Sequence, residues 1–195
     1  RVFRRHTPPD ACALTSSQST SIGADMSARA LAQDDQEDAH IASTIRRFGC
    51  FLQYVMPCSH EAEATVFCYT VGLFGLGHPE LLVFGLDQPT AAAVLNGRFR
   101  QVLAGRDLVP GEMLREGHHQ LLVEEVPNPG EILFQANHFY RRPPVASVPA
   151  LQLTWDLNGA FPTDADYPLD ACVQPRPGSF SALPGGGGGE CGCGE

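Results

Sequence analysis

Short runs rich in β-branched and aromatic residues recur through the middle of the chain, and they constrain its fold more than any other feature. Cys50–Met56, Val66–Gly72 and Leu81–Leu86 read as strands, and so does Gln120–Val126. Further on, Leu151, Leu153 and Trp155 alternate with Gln152, Thr154 and Asp156. Asn158-Gly159 is then a hairpin signal leading into Phe161. Two helices accompany these runs. The first is expected from about Asp34 to Phe48, with Asp34, Asp35, Glu37 and Asp38 in its first turn and Arg46 and Arg47 in its last, the order that complements a helix dipole. Ile41, Ile45 and Phe48 form its apolar stripe, and Gly49 its C-terminal cap. The second is expected from about Pro89 to Ala104, with Leu95, Phe99, Val102 and Leu103 on one face. Glu131–Tyr140 fits either a short helix or irregular chain. The order α-β-β-β-α-β-(α)-β-β implies a single α+β domain with a largely antiparallel sheet and two main helices.

Both flanks differ from this middle. Residues 1–33 are rich in Ser, Thr, Pro and Ala without an apolar period and read as a disordered tail. Residues 176–195, with the Gly185–Gly189 run and the Cys191-Gly192-Cys193 end, read the same way. The domain is therefore placed at 34–175. The chain begins with Arg1, while Met26 stands just upstream of the first organised segment. This suggests translation from Met26, with residues 1–25 an upstream reading frame or a leader.

Charge and cysteine usage bound the partners. All 13 basic residues are arginine, because the 195-residue chain contains no lysine. That excludes a lysine Schiff base, a pyridoxal phosphate anchor and a Walker-type phosphate loop. Residues 34–175 carry 18 acids against 8 arginines, a local balance of −10. Nucleic-acid binding depends on clustered basic side chains, so a nucleic acid is not the expected partner. No apolar run approaches the roughly 20 residues needed to span a bilayer, and no membrane role is expected. Seven cysteines at irregular spacing, with no secretory signal, point to reduced thiols and a cytoplasmic setting.

Several short motifs then align in order. Phe67-Cys68-Tyr69-Thr70-Val71-Gly72-Leu73, Gly77-His78-Pro79-Glu80-Leu81 and Phe84-Gly85-Leu86 are followed by Ala92-Ala93-Val94-Leu95-Asn96. Asn137-His138-Phe139-Tyr140, Pro149-Ala150-Leu151-Gln152-Leu153, Trp155-Asp156 and Gly159-Ala160-Phe161-Pro162 complete the series. With these motifs, roughly residues 40–170 resemble a bacterial family, the domain of unknown function 4262. Thr154 and Leu157-Asn158 depart from it, replacing a more acidic or proline-bearing stretch. The resemblance implies a compact bacterial cytosolic domain; it narrows the fold and leaves the function open.

The candidate site gathers Tyr69, Thr70, His78 and Glu80, with Asn137, Tyr140, Trp155 and Asp156 alongside. Polar side chains at strand ends and in glycine loops are where binding sites commonly sit. His78 suits a general acid or base and Glu80 would orient it. The plain alternative is that Glu80 pairs locally and that Tyr69 and Trp155 are core aromatics with satisfied polar tips. His60, His78, His118, His119 and His138 with Cys58 lack zinc-ligand spacing, so neither a metal nor another cofactor is expected. Two readings follow. One is a module that binds a small molecule or a basic protein through a pocket around Tyr69, His78 and Glu80. The other is a small-molecule enzyme with His78 and Glu80 as its acid–base pair.

Overall fold

The computed structural model describes residues 17–56 and 65–179, with side chains from residue 31. Helix α1 (Ser17–Phe48) is followed by β1 (Phe51–Val55), β2 (Phe67–Val71), β3 (Glu80–Phe84) and α2 (Gln88–Leu103). Then come β4 (Met113–Glu116), β5 (His119–Glu125), α3 (Phe134–Phe139) and β6 (Ala150–Trp155). The chain divides into two units, residues 1–40 and 41–195. The second unit holds one six-stranded sheet in the order β1-β2-β3-β6-β5-β4. Only β3 and β6 run parallel, so the sheet is largely antiparallel, within an α+β fold.

Period-two alternation divides the sheet's side chains between two cores. Cys68, Leu81, Val83, Leu153 and Trp155 pack with Leu95 and Phe99 of α2. Tyr69, Val71, Leu82 and Phe84 pack with Leu133 and Ala136, at the start of α3, and with Ile41. Both β2 and β3 are buried along their whole length. The segment after β6 folds back on the sheet. Gln174 accepts the Trp155 N–H at 2.7 Å and donates to the Trp155 carbonyl at 2.9 Å. Gly85 permits this return: at φ +70° it lies so close to Val173 that a Cβ would sit 2.5 Å from that residue's carbonyl oxygen.

Five expectations change. The stretch read as an N-terminal tail is helical from Ser17 onward. Ala24, Met26, Ala28, Ala30, Leu31 and Ala32 are strong helix formers, so propensity carries the helix where periodicity is missing. The acids from Asp34 to Asp38 consequently stand within α1, not in its first turn, although Arg46 and Arg47 do occupy its last. Phe48 is 62% exposed, and the buried stripe reduces to Ile41 and Ile45. A fourth strand that the sequence reading lacked, β4, is only four residues long, and Arg115 and Glu116 obscure its pattern. The Asn158-Gly159 turn forms, with both residues at positive φ, but closes only an isolated bridge between Leu157 and Ala160. Pro162 and the Asp164 cap on the Phe161 N–H stop a strand there. The expected tails at residues 1–16 and 180–195, together with Cys58, His60, Cys191 and Cys193, lie outside the described residues.

Candidate functional site

The ladder between β2 and β3 ends at Tyr69 opposite Leu82. Beyond that point the Thr70 hydroxyl takes over, accepting the Leu81 N–H at 2.8 Å and donating to the Glu80 carboxylate at 2.6 Å. Glu80 is fully buried. Its Oε1 accepts from the Gly72 N–H at 2.9 Å and the Phe74 N–H at 3.0 Å, and its Oε2 accepts from the Leu73 N–H at 3.3 Å. The next N–H, that of Gly75, donates to the Tyr140 hydroxyl at 3.2 Å. Four successive backbone donors, which a turn would otherwise leave orphaned, are thus met by two side chains. Burial pushes the Glu80 carboxyl above its ordinary range, with the Thr70 hydroxyl and the three amides pulling the other way. The Tyr140 hydroxyl is pushed up to about 12, first by burial and then by the Glu80 charge.

His78 leaves the same loop but spends its ring elsewhere. It is 3% exposed. Nδ1 lies 2.7 Å from the Pro79 carbonyl oxygen, and Nε2 accepts the Leu108 N–H at 3.1 Å. A backbone donor at Nε2 and a backbone acceptor at Nδ1 together require the neutral Nδ1–H tautomer. The imidazole therefore ties the chain after α2 to the start of β3. His78 and Glu80 share no hydrogen bond; each is committed to its own set of backbone groups.

The remaining candidates are dispersed. The Tyr69 hydroxyl accepts the Gln135 N–H at 3.1 Å, in the first turn of α3. Asn137 Oδ1 accepts the Val148 N–H at 2.9 Å, and its amide donates to Ser147 at 2.8 Å. Glu80 pairs with Ala150 at one end of the parallel β3–β6 ladder, whereas Trp155 ends β6. At about 3.3 Å per residue this places Trp155 roughly 17 Å away. Its indole donates to the Phe84 carbonyl at 2.9 Å. Asp156 receives the Gln120 and Gly159 N–H groups at 2.5 and 2.9 Å, so it pins a turn. Tyr69 and Trp155 fit the core-aromatic alternative.

Two adjoining depressions lie beside the start of β3 and the end of β5. The smaller, about 230 Å³, includes Pro79, Leu108, Pro110, Glu125 and Pro149. The larger and more open, about 600 Å³, includes Pro110, Gly111, Val123, Glu125, Pro127 and Pro177. Glu124 and Arg176 also line it, but they neutralise each other through bonds of 2.6 and 3.0 Å. The exposed Glu125 carboxylate makes no ion pair among the described residues. Sequence reasoning missed this surface, because its five prolines come from five separate connecting segments. The available signal was the pair Glu124-Glu125 closing an apolar strand just before Pro127. It also missed Arg98, which is buried beneath Glu116 and the Arg115 carbonyl, and Gln174.

Among the described residues no group of three His, Cys, Asp or Glu side chains is placed to hold a metal ion, and no helix is long and apolar enough to cross a membrane. The family model described as a domain of unknown function (DUF4262) matches residues 44–168. No curated protein and no solved structure matches the chain. The chain belongs to the DUF4262 family.

Proposed function

We propose that this family member is a protein-binding module that captures a basic segment of a partner in the open groove beside Pro110 and Glu125. One observation carries the reading. The polar side chains that would serve an enzyme spend their donors and acceptors on the fold's own backbone, while Glu125 stands uncompensated on a concave surface. Acid–base chemistry needs a group that reaches a substrate proton, and the His78 ring, engaged at both nitrogens, offers none. The larger groove is open to solvent, whereas small-molecule sites enclose most of their ligand's surface; this favours a protein segment. The −10 balance of residues 34–175 supports a basic partner, since an acidic surface speeds its capture. The smaller depression at Pro79 and Leu108 extends this surface toward the His78 loop, which supplies its wall through backbone geometry. A cytoplasmic setting fits the irregular spacing of the seven cysteines, which does not suit a disulfide framework.

The test is titration with an arginine-rich peptide at low and high salt. Binding should weaken with salt and fall at least about tenfold in Glu125→Arg, the loss expected when an attraction is replaced by like-charge repulsion. Asp166→Arg, the same charge change at another exposed carboxylate, should cost much less. Equal losses in the two variants would reduce the effect to net charge and refute the groove.

A further inference from the structure

The manner in which the groove takes its ligand follows from how β4 begins. Val109-Pro110-Gly111-Glu112 is a β-turn closed by the Glu112 N–H on the Val109 carbonyl at 3.1 Å. Proline at its second position and Gly111 at φ +87° at its third give type II geometry. Gly111 and Glu112 together oppose the single residue Val123. The Gly111 N–H donates to the Val123 carbonyl at 2.8 Å, and the Val123 N–H donates to the Glu112 carbonyl at 2.9 Å. This is a glycine bulge, a device that bends a strand and ends its pairing.

The consequence falls on β5. Val123 turns both of its backbone polar groups toward β4, while the Val126 N–H turns to the other side and donates to the Ala150 carbonyl at 3.1 Å. Backbone direction alternates along a strand, so the N–H and C=O of Glu125 point to the side that β4 has left. Glu125 still pairs in register with Leu151 of β6, which holds it extended. Its backbone thus opens into the groove between the Pro110 turn and Pro127. In this short stretch an interior strand of the sheet becomes an edge.

An open strand edge is a template for another chain. We propose that an extended, arginine-bearing segment of a partner protein adds to β5 here as a short strand, exchanging hydrogen bonds with the Glu125 N–H and C=O. Its alternate basic side chains meet the Glu125 carboxylate, and its apolar ones lie against Pro110 and Pro127. Charge complementarity selects this occupant: with Glu124 and Arg176 mutually neutralised, the groove retains one unpaired negative charge. The proposal rests on the basic-partner reading above and specifies its geometry.

The experiment compares two synthetic seven-residue peptides on the full chain. One alternates arginine and valine; the other is identical but N-methylated at alternate residues, so that charge is kept and strand pairing is blocked. Binding is read by fluorescence anisotropy, and Glu125 amide exchange by NMR. The unmodified peptide should slow Glu125 exchange and bind about tenfold more tightly, as loss of two main-chain hydrogen bonds implies. Equal affinity of the two peptides with unchanged Glu125 exchange would overturn strand addition and leave electrostatic capture intact. Failure of both peptides to bind would overturn strand addition and the binding reading together.

Discussion

Replacing Glu80 tests whether its carboxylate is the anchor of the loop that follows β2. Glu80→Ala removes the acceptor for the Gly72, Leu73 and Phe74 N–H groups and for the Thr70 hydroxyl. A buried donor left unsatisfied costs about 1–3 kcal/mol. The Leu73 bond is long at 3.3 Å and Phe74 lies only partly buried, so those two belong at the low end. Relief of the carboxylate's own desolvation offsets part of the sum. A net loss of about 2–4 kcal/mol remains, the sum expected for two or three neutral buried donors left without an acceptor, less that relief. That is a large share of the roughly 5–15 kcal/mol holding a typical domain. Glu80→Gln keeps Oε1 for Gly72 and Phe74 and turns an amide toward the Thr70 oxygen, so it should cost only about 1–2 kcal/mol, the worth of one or two hydrogen bonds. Urea unfolding followed by the fluorescence of the single tryptophan, Trp155, measures both. A Glu80→Ala loss below about 1 kcal/mol, the net worth of one ordinary hydrogen bond, would refute the anchoring argument. The sign with pH is also fixed. Burial raises the folded carboxyl above its ordinary 4.5, so above that pH the native state holds a proton that the unfolded chain has released. Stability from this group is greatest below 4.5 and is lost as pH rises through the folded value. Wild type should therefore lose stability relative to Glu80→Gln over that window, and a relative gain would contradict it.

Two other expectations follow from the same packing. Cys50 and Cys68 are buried with thiols pushed up to about 12, so iodoacetamide at pH 8 should spare both until the chain unfolds; peptide mass spectrometry reads this directly. Gln174→Ala breaks the two bonds that clamp the Trp155 backbone. It should cost about 1–3 kcal/mol and shift Trp155 emission to the red; unchanged emission and stability would count against the clamp.

What the sequence disclosed was the part written in local pattern. The β2 and β3 runs and the second helix stand within a residue or two of their expected bounds, because their apolar residues are dense and their ends carry glycine or proline. β4 was hidden because a strand of four residues with two charges has no period to read. α1 ran longer than expected because alanine favours a helix without making a stripe. The candidate residues were polar groups in the right neighbourhoods, yet their roles depend on which backbone groups the fold delivers to them. Glu80 held the plainest clue: an acid opening a strand of four consecutive apolar residues, Leu81 to Phe84, is buried with them and must find donors. That the donors are three amides six to eight residues upstream is a tertiary fact. The groove is equally tertiary, since a turn after α2, the end of β5 and the chain beyond β6 meet only in the folded unit.

The most direct measurement of the binding account is a nitrogen-15 NMR titration of the chain with the arginine–valine peptide, mapping which amides shift. The account expects perturbations centred on Gly111, Val123, Glu125 and Arg176, with the Gly72–Glu80 loop nearly silent. Shifts concentrated at Gly72–Glu80 and around the His78 ring, with the groove unaffected, would contradict it.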